Sequence, residues 1–395
     1  MRKQITFNTA ISQITPSASV ALMEQAKQMV ADGVDLVNLT GGEPDFPTPA
    51  PIVETACAEI RKGNTHYVAG KGLPALRQRL ATELAERDGI SCTAEQILIT
   101  PGGKFAIYLA VRALVNEGDE VLYLEPGWVS YPSIVIASGG VPVPVCLRYE
   151  DNYRVTRELL ESCVTPRSKL LIINTPNNPT GRVLSAEETG IIADFVKEHD
   201  LILISDEIYS RIIYGASRHI SPASLPDIAG QVITINGFSK FAAMTGWRLG
   251  YMCMPAEIYA KVMKLYQHTM TCVSGFSQAA AITALDCRDE AEQMRQSYGA
   301  RRNLFIDRLN AIDGVEARMP EGAFYAWVHF DLPGMDSYAI CKYLQEQALV
   351  AGVPGDSYGG GGAQCVRFCF ASPEQKLLAA AERIEKAVKK LKHAE

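Results

Sequence analysis

The sequence lacks the features of a membrane-spanning, secreted or nucleic-acid-binding protein. No apolar run reaches the roughly 20 residues that cross a bilayer, and residues 1–10 lack the apolar region of a signal peptide. The net charge of −6 and the pI near 5.7 argue against binding to nucleic acid or to anionic membranes. The densest basic group has the spacing of the solvated face of a last helix. It comprises Lys386, Lys389, Lys390 and Lys392.

The ten cysteines form no recognisable metal or disulfide pattern. They are spread from Cys57 to Cys369 without a CxxC pair or a Cys/His cluster. This spacing indicates neither a zinc site nor the disulfide framework of a secreted domain. A reducing compartment fits such thiols best, and we therefore expect a cytoplasmic protein without a bound metal.

Short apolar runs alternate with longer amphipathic stretches through the middle of the chain. Strands are predicted at residues 96–100, 120–124, 169–174, 201–205 and 232–236. Helices are predicted at residues 104–116 and 187–199. This alternation is typical of βαβ units and predicts an α/β fold with a mainly parallel sheet. Because ligands of such sheets bind outside the carboxyl ends of the strands, the loops that follow the strands are the informative ones.

The C-terminal third has fewer strands. The pattern predicts helices at 289–309 and 338–347, strands at 323–330 and 365–370, and a last helix from Glu374. We therefore expect a large ligand-binding domain at 51–288 and a smaller α/β domain at 289–395. The segment 1–50 is expected to pack with the smaller domain.

The first candidate for chemistry is Lys240, which follows a predicted strand in an apolar setting. Burial of an ammonium lowers its pKa, which suits an amine that forms a Schiff base with a carbonyl. The Ser239 hydroxyl and the Arg248 guanidinium are donors that suit a phosphate. A surface lysine and an ordinary ion-paired arginine would give the same local pattern.

Asp206 lies at the carboxyl end of another predicted strand, within residues 205–209. At that position an acid faces the ligand crevice and is able to keep a ring nitrogen protonated. A helix cap is the alternative role, because serine and aspartate favour that position.

Two further loops follow strands. Residues 174–181 contain two X-Pro steps, which stiffen the turn that presents the Asn178 amide. Residues 100–104 carry Gly102 and Gly103 at a helix start, where bare backbone N–H groups bind phosphate. Turns that only connect two elements contain similar residues, so the glycine turn by itself does not indicate a binding site. The glycine turn is neither GxGxxG nor a Walker loop, so neither a nicotinamide nor a nucleoside-triphosphate site is supported.

Together these loops supply an amine, an acid, an amide and several phosphate donors, which is the set that a pyridoxal-phosphate site needs. The whole chain resembles the class I/II aminotransferases among the fold-type I pyridoxal-phosphate enzymes. The motifs at residues 42–46, 177–181, 205–209, 239–240 and 246–248 have that family's order and spacing. The resemblance implies a large domain with a mainly parallel sheet and a smaller α/β domain. It also implies a homodimer whose active sites lie at the subunit interface.

The resemblance implies roles for the residues around the cofactor ring. Lys240 would be the Schiff-base lysine and then the proton carrier, and Asp206 would pair with the pyridine nitrogen. Asn178 and Tyr209 would hydrogen-bond the phenolic oxygen of the cofactor. Trp128 would stack on the ring, although buried aromatic residues more often serve core packing.

The resemblance also implies a phosphate site. Backbone groups of Gly103 and Lys104, the Ser239 hydroxyl and the Arg248 guanidinium would hold the phosphate. Tyr67 would reach the phosphate in the neighbouring subunit.

Five residues would contact the substrate, according to the same resemblance. Arg367 would clamp its α-carboxylate, with Gly42 nearby, and Trp128 and Asn178 would face it. Lys104 matches a lysine that contacts the distal carboxylate in one subgroup of bacterial aspartate aminotransferases. No arginine occurs in residues 251–285, where another subgroup keeps its side-chain arginine.

We therefore expect ping-pong transamination of aspartate with 2-oxoglutarate. The chain also resembles broad-range relatives that use aromatic or basic amino acids with pyruvate. A β-lyase or a synthase on the same fold would keep the residues that match Lys240 and Asp206. A regulatory module is disfavoured because no DNA-binding segment is appended and Lys240 is present.

Overall fold

The computed structural model describes residues 5–14 and 18–392. Within this part of the chain the strands are β1 Val37–Asn38, β2 Ile97–Thr100, β3 Glu120–Glu125, β4 Val141–Cys146, β5 Ser168–Asn174, β6 Ile202–Asp206, β7 Val232–Gly237, β8 Gly250–Cys253, β9 Val315–Ala317, β10 Tyr325–Phe330, β11 Val350–Ala351, β12 Val353–Pro354 and β13 Cys365–Cys369.

Thirteen α-helices are present in the described part of the chain. They are α1 Thr9–Ser12, α2 Ala18–Ala31, α3 Ala50–Arg61, α4 Pro74–Asp88, α5 Gly103–Leu114, α6 Ser130–Ala137, α7 Arg157–Glu161, α8 Ala186–Glu198, α9 Ala256–Thr269, α10 Gly275–Asp286, α11 Arg288–Asn310, α12 Ser337–Tyr343 and α13 Glu374–Lys392. Among the described helices none is long and apolar enough to cross a membrane.

The larger sheet has the strand order β2-β8-β7-β6-β5-β3-β4. Strands β3 to β7 are mutually parallel, and β8 runs antiparallel to both of its neighbours. Successive residues of β5 pack in two different clusters, Leu171 and Ile173 in one and Leu170 and Ile172 in the other. Both faces of the sheet are therefore covered, as expected of a parallel sheet.

The predicted α/β class is confirmed, and all five strands predicted in the middle of the chain form. Strand β6 begins and ends one residue later than predicted, so it includes Asp206. Two strands of this sheet were not predicted. Strand β8 is only four residues long, and β4 contains Pro142 and Pro144, which a sheet tolerates here because β4 lies at its edge.

A second, antiparallel sheet has the order β12-β13-β10-β9. Near it, β1 pairs in parallel with β11. Leu39, just after β1, shares an apolar cluster with Phe324, Phe368 and Ile384. The Cys369 amide of β13 donates a hydrogen bond to the Leu39 carbonyl. This contact holds residues 40–42 beside β13, the strand that bears Arg367.

Three predicted boundaries in this region were wrong. The strand predicted from residue 323 begins at Tyr325, because Ala323 has a left-handed backbone with φ of 56°. The helix predicted at 338–347 is regular only to Tyr343 and continues as a π-helical turn, Leu344–Ala348. The strand predicted to reach residue 370 ends at Cys369.

Candidate active site

Three of the predicted functional residues follow neighbouring parallel strands. Asp206 is the last residue of β6, Lys240 comes three residues after β7, and Asn178 comes four residues after β5. Strands β5, β6 and β7 are adjacent and parallel, so their carboxyl ends meet at one edge of the sheet. The chain therefore carries an amine, a carboxylate and an amide at the place where such sheets bind ligands.

The Lys240 amine lies in a largely apolar setting. Its Nζ donates a hydrogen bond to the Gly42 carbonyl and lies 5.6 Å from the Tyr209 ring centroid and 5.8 Å from that of Phe324. Burial lowers the pKa of this amine to about 8, because the charged form loses hydration. The neutral, nucleophilic form is thus more accessible near neutral pH than for an ordinary lysine.

The Asp206 carboxylate is only 7% exposed and lacks an ion-pair partner within the described residues. Its Oδ2 accepts a hydrogen bond of 2.8 Å from the Tyr131 hydroxyl, and its Oδ1 accepts one of 3.3 Å from the Ile208 amide. Burial raises the pKa of Asp206 to about 6, and the hydrogen bonds from Tyr131 and Ile208 oppose that rise. A cationic ligand group beside this carboxylate would keep it ionised.

The neighbouring acid, Glu207, is equally buried but has several partners. Its carboxylate accepts hydrogen bonds from Ser205 Oγ at 2.8 Å and Ser221 Oγ at 2.6 Å, and lies 2.9 Å from His219 Nε2. These contacts keep the pKa of Glu207 below its ordinary value despite its burial. Glu207 therefore stabilises the fold, whereas Asp206 is left with capacity for a ligand.

Tyr209 and Asn178 are both buried at this edge of the sheet. The Tyr209 hydroxyl shares a hydrogen bond of 2.7 Å with the Tyr325 hydroxyl. The Asn178 amide oxygen accepts a hydrogen bond of 3.1 Å from Arg367 Nη1. Within the described chain the Asn178 amide nitrogen makes no hydrogen bond, so it is able to donate to a ligand.

The Arg367 guanidinium is only 5% exposed and has no carboxylate partner among the described residues. Its Nη2 donates to the Thr40 carbonyl at 2.7 Å and the Gly41 carbonyl at 3.1 Å. The guanidinium carbon lies 4.4 Å from the Tyr325 ring centroid, and Nε is buried without a described partner. A buried cation without an anion is suited to bind an anionic ligand group, such as a carboxylate.

Two of the predicted phosphate-binding groups, the Arg248 guanidinium and the glycine turn, meet where β2 joins α5. Gly102 has a φ of 87°, and a Cβ there would lie 2.8 Å from Arg248 Nη2. A Cβ at Gly250 would lie 2.8 Å from the Gly102 carbonyl carbon. Both glycines are needed for this close approach, which places the Arg248 guanidinium beside the start of α5 at Gly103. Backbone N–H groups at such a helix start attract anions.

Four other predicted residues have distinct positions. Ser239 is buried directly before Lys240. Lys104 Nζ lies 4.9 Å from the Trp128 ring centroid, and the Trp128 ring packs edge-on against Tyr131. Desolvation by neighbouring atoms and the nearby charge of Arg248 lower the pKa of Lys104. Tyr67 is 84% exposed and is not brought to the other predicted residues within this chain.

Two residues of the site were missed by the sequence analysis. Tyr131 lies three residues after Trp128 at the start of α6, and this helical spacing was the only available signal. Tyr325 lies on β10 beside Cys369 of β13, far along the chain from the motifs, and no local pattern indicates it.

The arrangement fits the cofactor that the resemblance implies. Asp206 is a buried acid that forms no ion pair in the described part of the chain, Lys240 is an amine with a lowered pKa, and a glycine turn with Arg248 provides phosphate donors. Arg367 leaves a second anion site nearby for a substrate.

Comparisons with known proteins point the same way. The family model described as aminotransferase class I and II matches residues 34–384. An aspartate aminotransferase of Musicola paradisiaca is 37% identical over 381 residues, which cover 96% of this chain and 95% of that protein. Aromatic-amino-acid aminotransferase 2 of Thermococcus litoralis is 40% identical over 370 residues, 92% of this chain and 94% of that protein.

Among solved structures, the aspartate aminotransferase of Thermus thermophilus with maleate has a TM-score of 0.92 at 36% identity. The match covers 97% of this chain and 100% of that one. The predicted family, fold and cofactor are thereby confirmed. The chain belongs to the class I and II aminotransferases, and it is a pyridoxal-phosphate-dependent enzyme that transfers amino groups between amino acids and 2-oxo acids.

Proposed function

We propose that this transaminase acts on an acidic amino acid, with aspartate as donor and 2-oxoglutarate as acceptor. The observation that carries the proposal is the pair of cations available to a substrate. Arg367 is a buried guanidinium without a carboxylate partner in the described chain, and the Lys104 amine reaches over Trp128. A dicarboxylate has one anion for each of them. Relatives named aspartate aminotransferase support the same substrate class.

The roles of the residues around the ring are inferred from the resemblance to the family, and the contacts of these residues support them. Bound pyridoxal phosphate supplies an aldehyde that captures an amino group and a ring that withdraws electrons from the α-carbon. Lys240 Nζ would hold the cofactor through that aldehyde and would move the α-proton once released, because its lowered pKa suits both tasks. Asp206 keeps the proton on the ring nitrogen. Asn178 and Tyr209 would donate to the phenolic oxygen, and Trp128 would stack on the ring.

The remaining predicted residues hold the two anionic groups. The backbone of Gly103 and Lys104, with Ser239 and Arg248, binds the phosphate. Arg367 orients the substrate α-carboxylate close to Gly42, whose carbonyl already accepts a hydrogen bond from Lys240. The enzyme has one site for both substrates. The 2-oxo acid formed from the amino donor therefore leaves before the acceptor binds, and the kinetics are ping-pong.

We also propose the assembly and the location of the enzyme. The exposed Tyr67 ring supports a homodimer in which it reaches the neighbouring active site. The pairing of β1 with β11 supports grouping residues 1–50 with the smaller domain at 289–395, beside a large domain at 51–288. All ten cysteines are free thiols, which supports a cytoplasmic enzyme.

The substrate is tested by screening amino donors with the purified enzyme, in parallel with Lys104→Ala. We expect aspartate to be the best donor. Loss of one charge-assisted contact should lower kcat/KM for aspartate at least about tenfold in the variant and leave a donor without a side-chain charge nearly unchanged. Lys197→Ala is the matched control, since Lys197 is an exposed lysine of α8 that pairs with Asp227.

Other results of the same screen would contradict the proposal. Undetectable turnover of aspartate, with good turnover of an aromatic or basic donor and pyruvate, would exclude aspartate as the substrate. Release of many equivalents of 2-oxo acid per active site without any amino acceptor would identify a lyase, because a transaminase stops after one equivalent.

A further inference from the structure

A second polar cavity lies apart from the candidate active site. It has a volume of about 350 Å³ and lies between the end of α4, the loop after β6 and helix α11. None of the residues that line it belongs to the predicted active site. Its charged walls are formed by Arg87, Asp88, Arg218 and Arg295, so guanidinium groups outnumber carboxylates.

Arg87 is held rigidly at the wall of this cavity. Its Nη2 donates to Asp88 Oδ2 at 2.6 Å and to Ser210 Oγ at 3.3 Å. Its Nε is buried without a partner in the described part of the chain. The guanidinium is therefore positioned by one carboxylate while part of its donor capacity stays unused.

Arg218 and Arg295 differ in how their charges are balanced. Arg295 Nη2 pairs with Glu292 at 2.6 Å and Arg295 Nη1 donates to the Ile213 carbonyl at 2.9 Å, which fixes its side chain. Arg218 is exposed, and its one hydrogen bond within the described residues goes to the carbonyl of its neighbour Ser217. It forms no ion pair in the part of the chain that the structure describes. The cavity thus has a cation that no carboxylate balances.

The cavity is connected to the ends of β6 and β7, the strands that lead to Asp206 and Lys240. His219, another lining residue, contacts Glu207 through Nε2, and its Nδ1 is buried without a described partner. Ser210 Oγ accepts a hydrogen bond of 3.0 Å from Asn236 of β7. These contacts fix the inner wall in place.

We propose that this cavity binds a small dianion of the phosphate class, either free phosphate or a phosphate monoester. Guanidinium groups match the oxygen geometry of phosphate, and the hydroxyls of Ser210 and Ser217 add neutral donors. The volume exceeds that of a single phosphate and leaves room for a small ester group. Because Arg87 belongs to α4 and Arg295 to α11, a bound dianion connects these two helices.

The test uses the holoenzyme, whose own phosphate site is filled by its cofactor. Inorganic phosphate and glycerol 3-phosphate are titrated separately by calorimetry, with chloride at equal ionic strength as the reference. We expect saturable binding to the wild type and an affinity at least about tenfold lower in Arg218→Gln. The matched control is Arg154→Gln, which removes an exposed arginine that pairs with Glu187 outside the cavity.

The titrations also distinguish the ligand sources and the two anion sites. Tighter binding of glycerol 3-phosphate than of phosphate would assign the cavity to a monoester, and the reverse order to the free ion. Binding that survives in Arg367→Leu but weakens in Arg218→Gln supports the proposal. Binding lost in Arg367→Leu and retained in Arg218→Gln would place the anion in the active site and overturn it. Heats no larger than those of chloride would overturn it as well.

Discussion

The Tyr131 hydroxyl donates a hydrogen bond of 2.8 Å to Oδ2 of Asp206, and both groups are buried. This contact opposes the burial that raises the pKa of Asp206 to about 6. Tyr131 is thus a positioning residue. It acts through Asp206 by favouring the ionised carboxylate and by fixing its orientation.

Removal of this hydroxyl in Tyr131→Phe should raise the pKa of Asp206 further. Activity requires the carboxylate, so it falls as the pH drops through the pKa that Asp206 has beside the bound cofactor, and the acid limb of kcat/KM should move to higher pH. We expect kcat/KM near neutral pH to fall about tenfold, the value of one charge-assisted hydrogen bond. Rate measurements between about pH 5 and 9 would detect the shift.

Tyr123→Phe is the control for this prediction, because the Tyr123 hydroxyl also donates to a buried acid, Glu125, at 2.7 Å. It should leave the acid limb where it is in the wild type. An unmoved limb in Tyr131→Phe would show that the contact only supports the fold.

Asp206 should reduce the stability of the cofactor-free enzyme. Its folded pKa lies above its ordinary value, so the unfolded chain ionises it more easily, and this cost is present above about pH 6 and disappears below about pH 4. Asp206→Asn should therefore raise the free energy of unfolding by about 2 kcal/mol at pH 8 while nearly abolishing transamination. Denaturant titrations of the cofactor-free proteins at pH 4 and pH 8 measure the difference.

The opposite sign is expected for Asp119→Asn. The Asn116 amide and the Lys169 side chain hydrogen-bond to Asp119 and lower its pKa, so its ionised form stabilises the fold. If both variants shifted stability in the same direction at pH 8, the argument from burial would be wrong.

Two lysines of the site should respond differently to borohydride. Lys240 should carry the cofactor covalently, so reduction of the wild type should leave the cofactor mass on the peptide that contains Lys240. Lys240→Ala should lose this label and more than about 100-fold of its activity, since it lacks both the amine and the proton carrier. Lys104→Ala should keep the label. A label found on another peptide would refute the assignment of Lys240.

The contact between Gly102 and Arg248 yields a prediction about cofactor affinity. In Gly102→Ala the new Cβ would lie 2.8 Å from Arg248 Nη2 at a left-handed φ of 87°, so the guanidinium must move. We expect the dissociation constant for pyridoxal phosphate to rise about tenfold, because one charge-assisted contact is lost. Equilibrium titration of the cofactor-free protein measures it.

Gly33→Ala is the control, because it introduces backbone strain without displacing the Arg248 guanidinium. Gly33 has a similar φ of 84°, but a Cβ there would meet no atom within 4 Å. Gly33→Ala should lower the free energy of unfolding by about 1 kcal/mol and leave the affinity for pyridoxal phosphate unchanged. Equal loss of affinity in both variants would remove the role given to Arg248.

Local patterns in the sequence indicated Lys240, Asp206 and Asn178 as candidates, and the resemblance to the aminotransferases gave each of them a role. Lys240 and Asn178 follow short apolar strands and Asp206 ends one, and the parallel arrangement of β5, β6 and β7 brings these strand ends together. The edge strand β4 was not recognised, because its prolines disguise the strand pattern while its edge position tolerates them.

The tertiary structure alone decided which of these groups keep unused bonding capacity. Asp206 and Glu207 are adjacent in sequence, but Glu207 is partnered by His219 and Ser221, whereas Asp206 forms no ion pair within the described residues. Arg367 likewise owes its position to the Thr40 carbonyl, more than 300 residues away in the chain. The composition and periodicity of the chain determine which side chains are buried. Their partners depend on packing between distant segments, and these partners decide whether a buried charge stabilises the fold or binds a ligand.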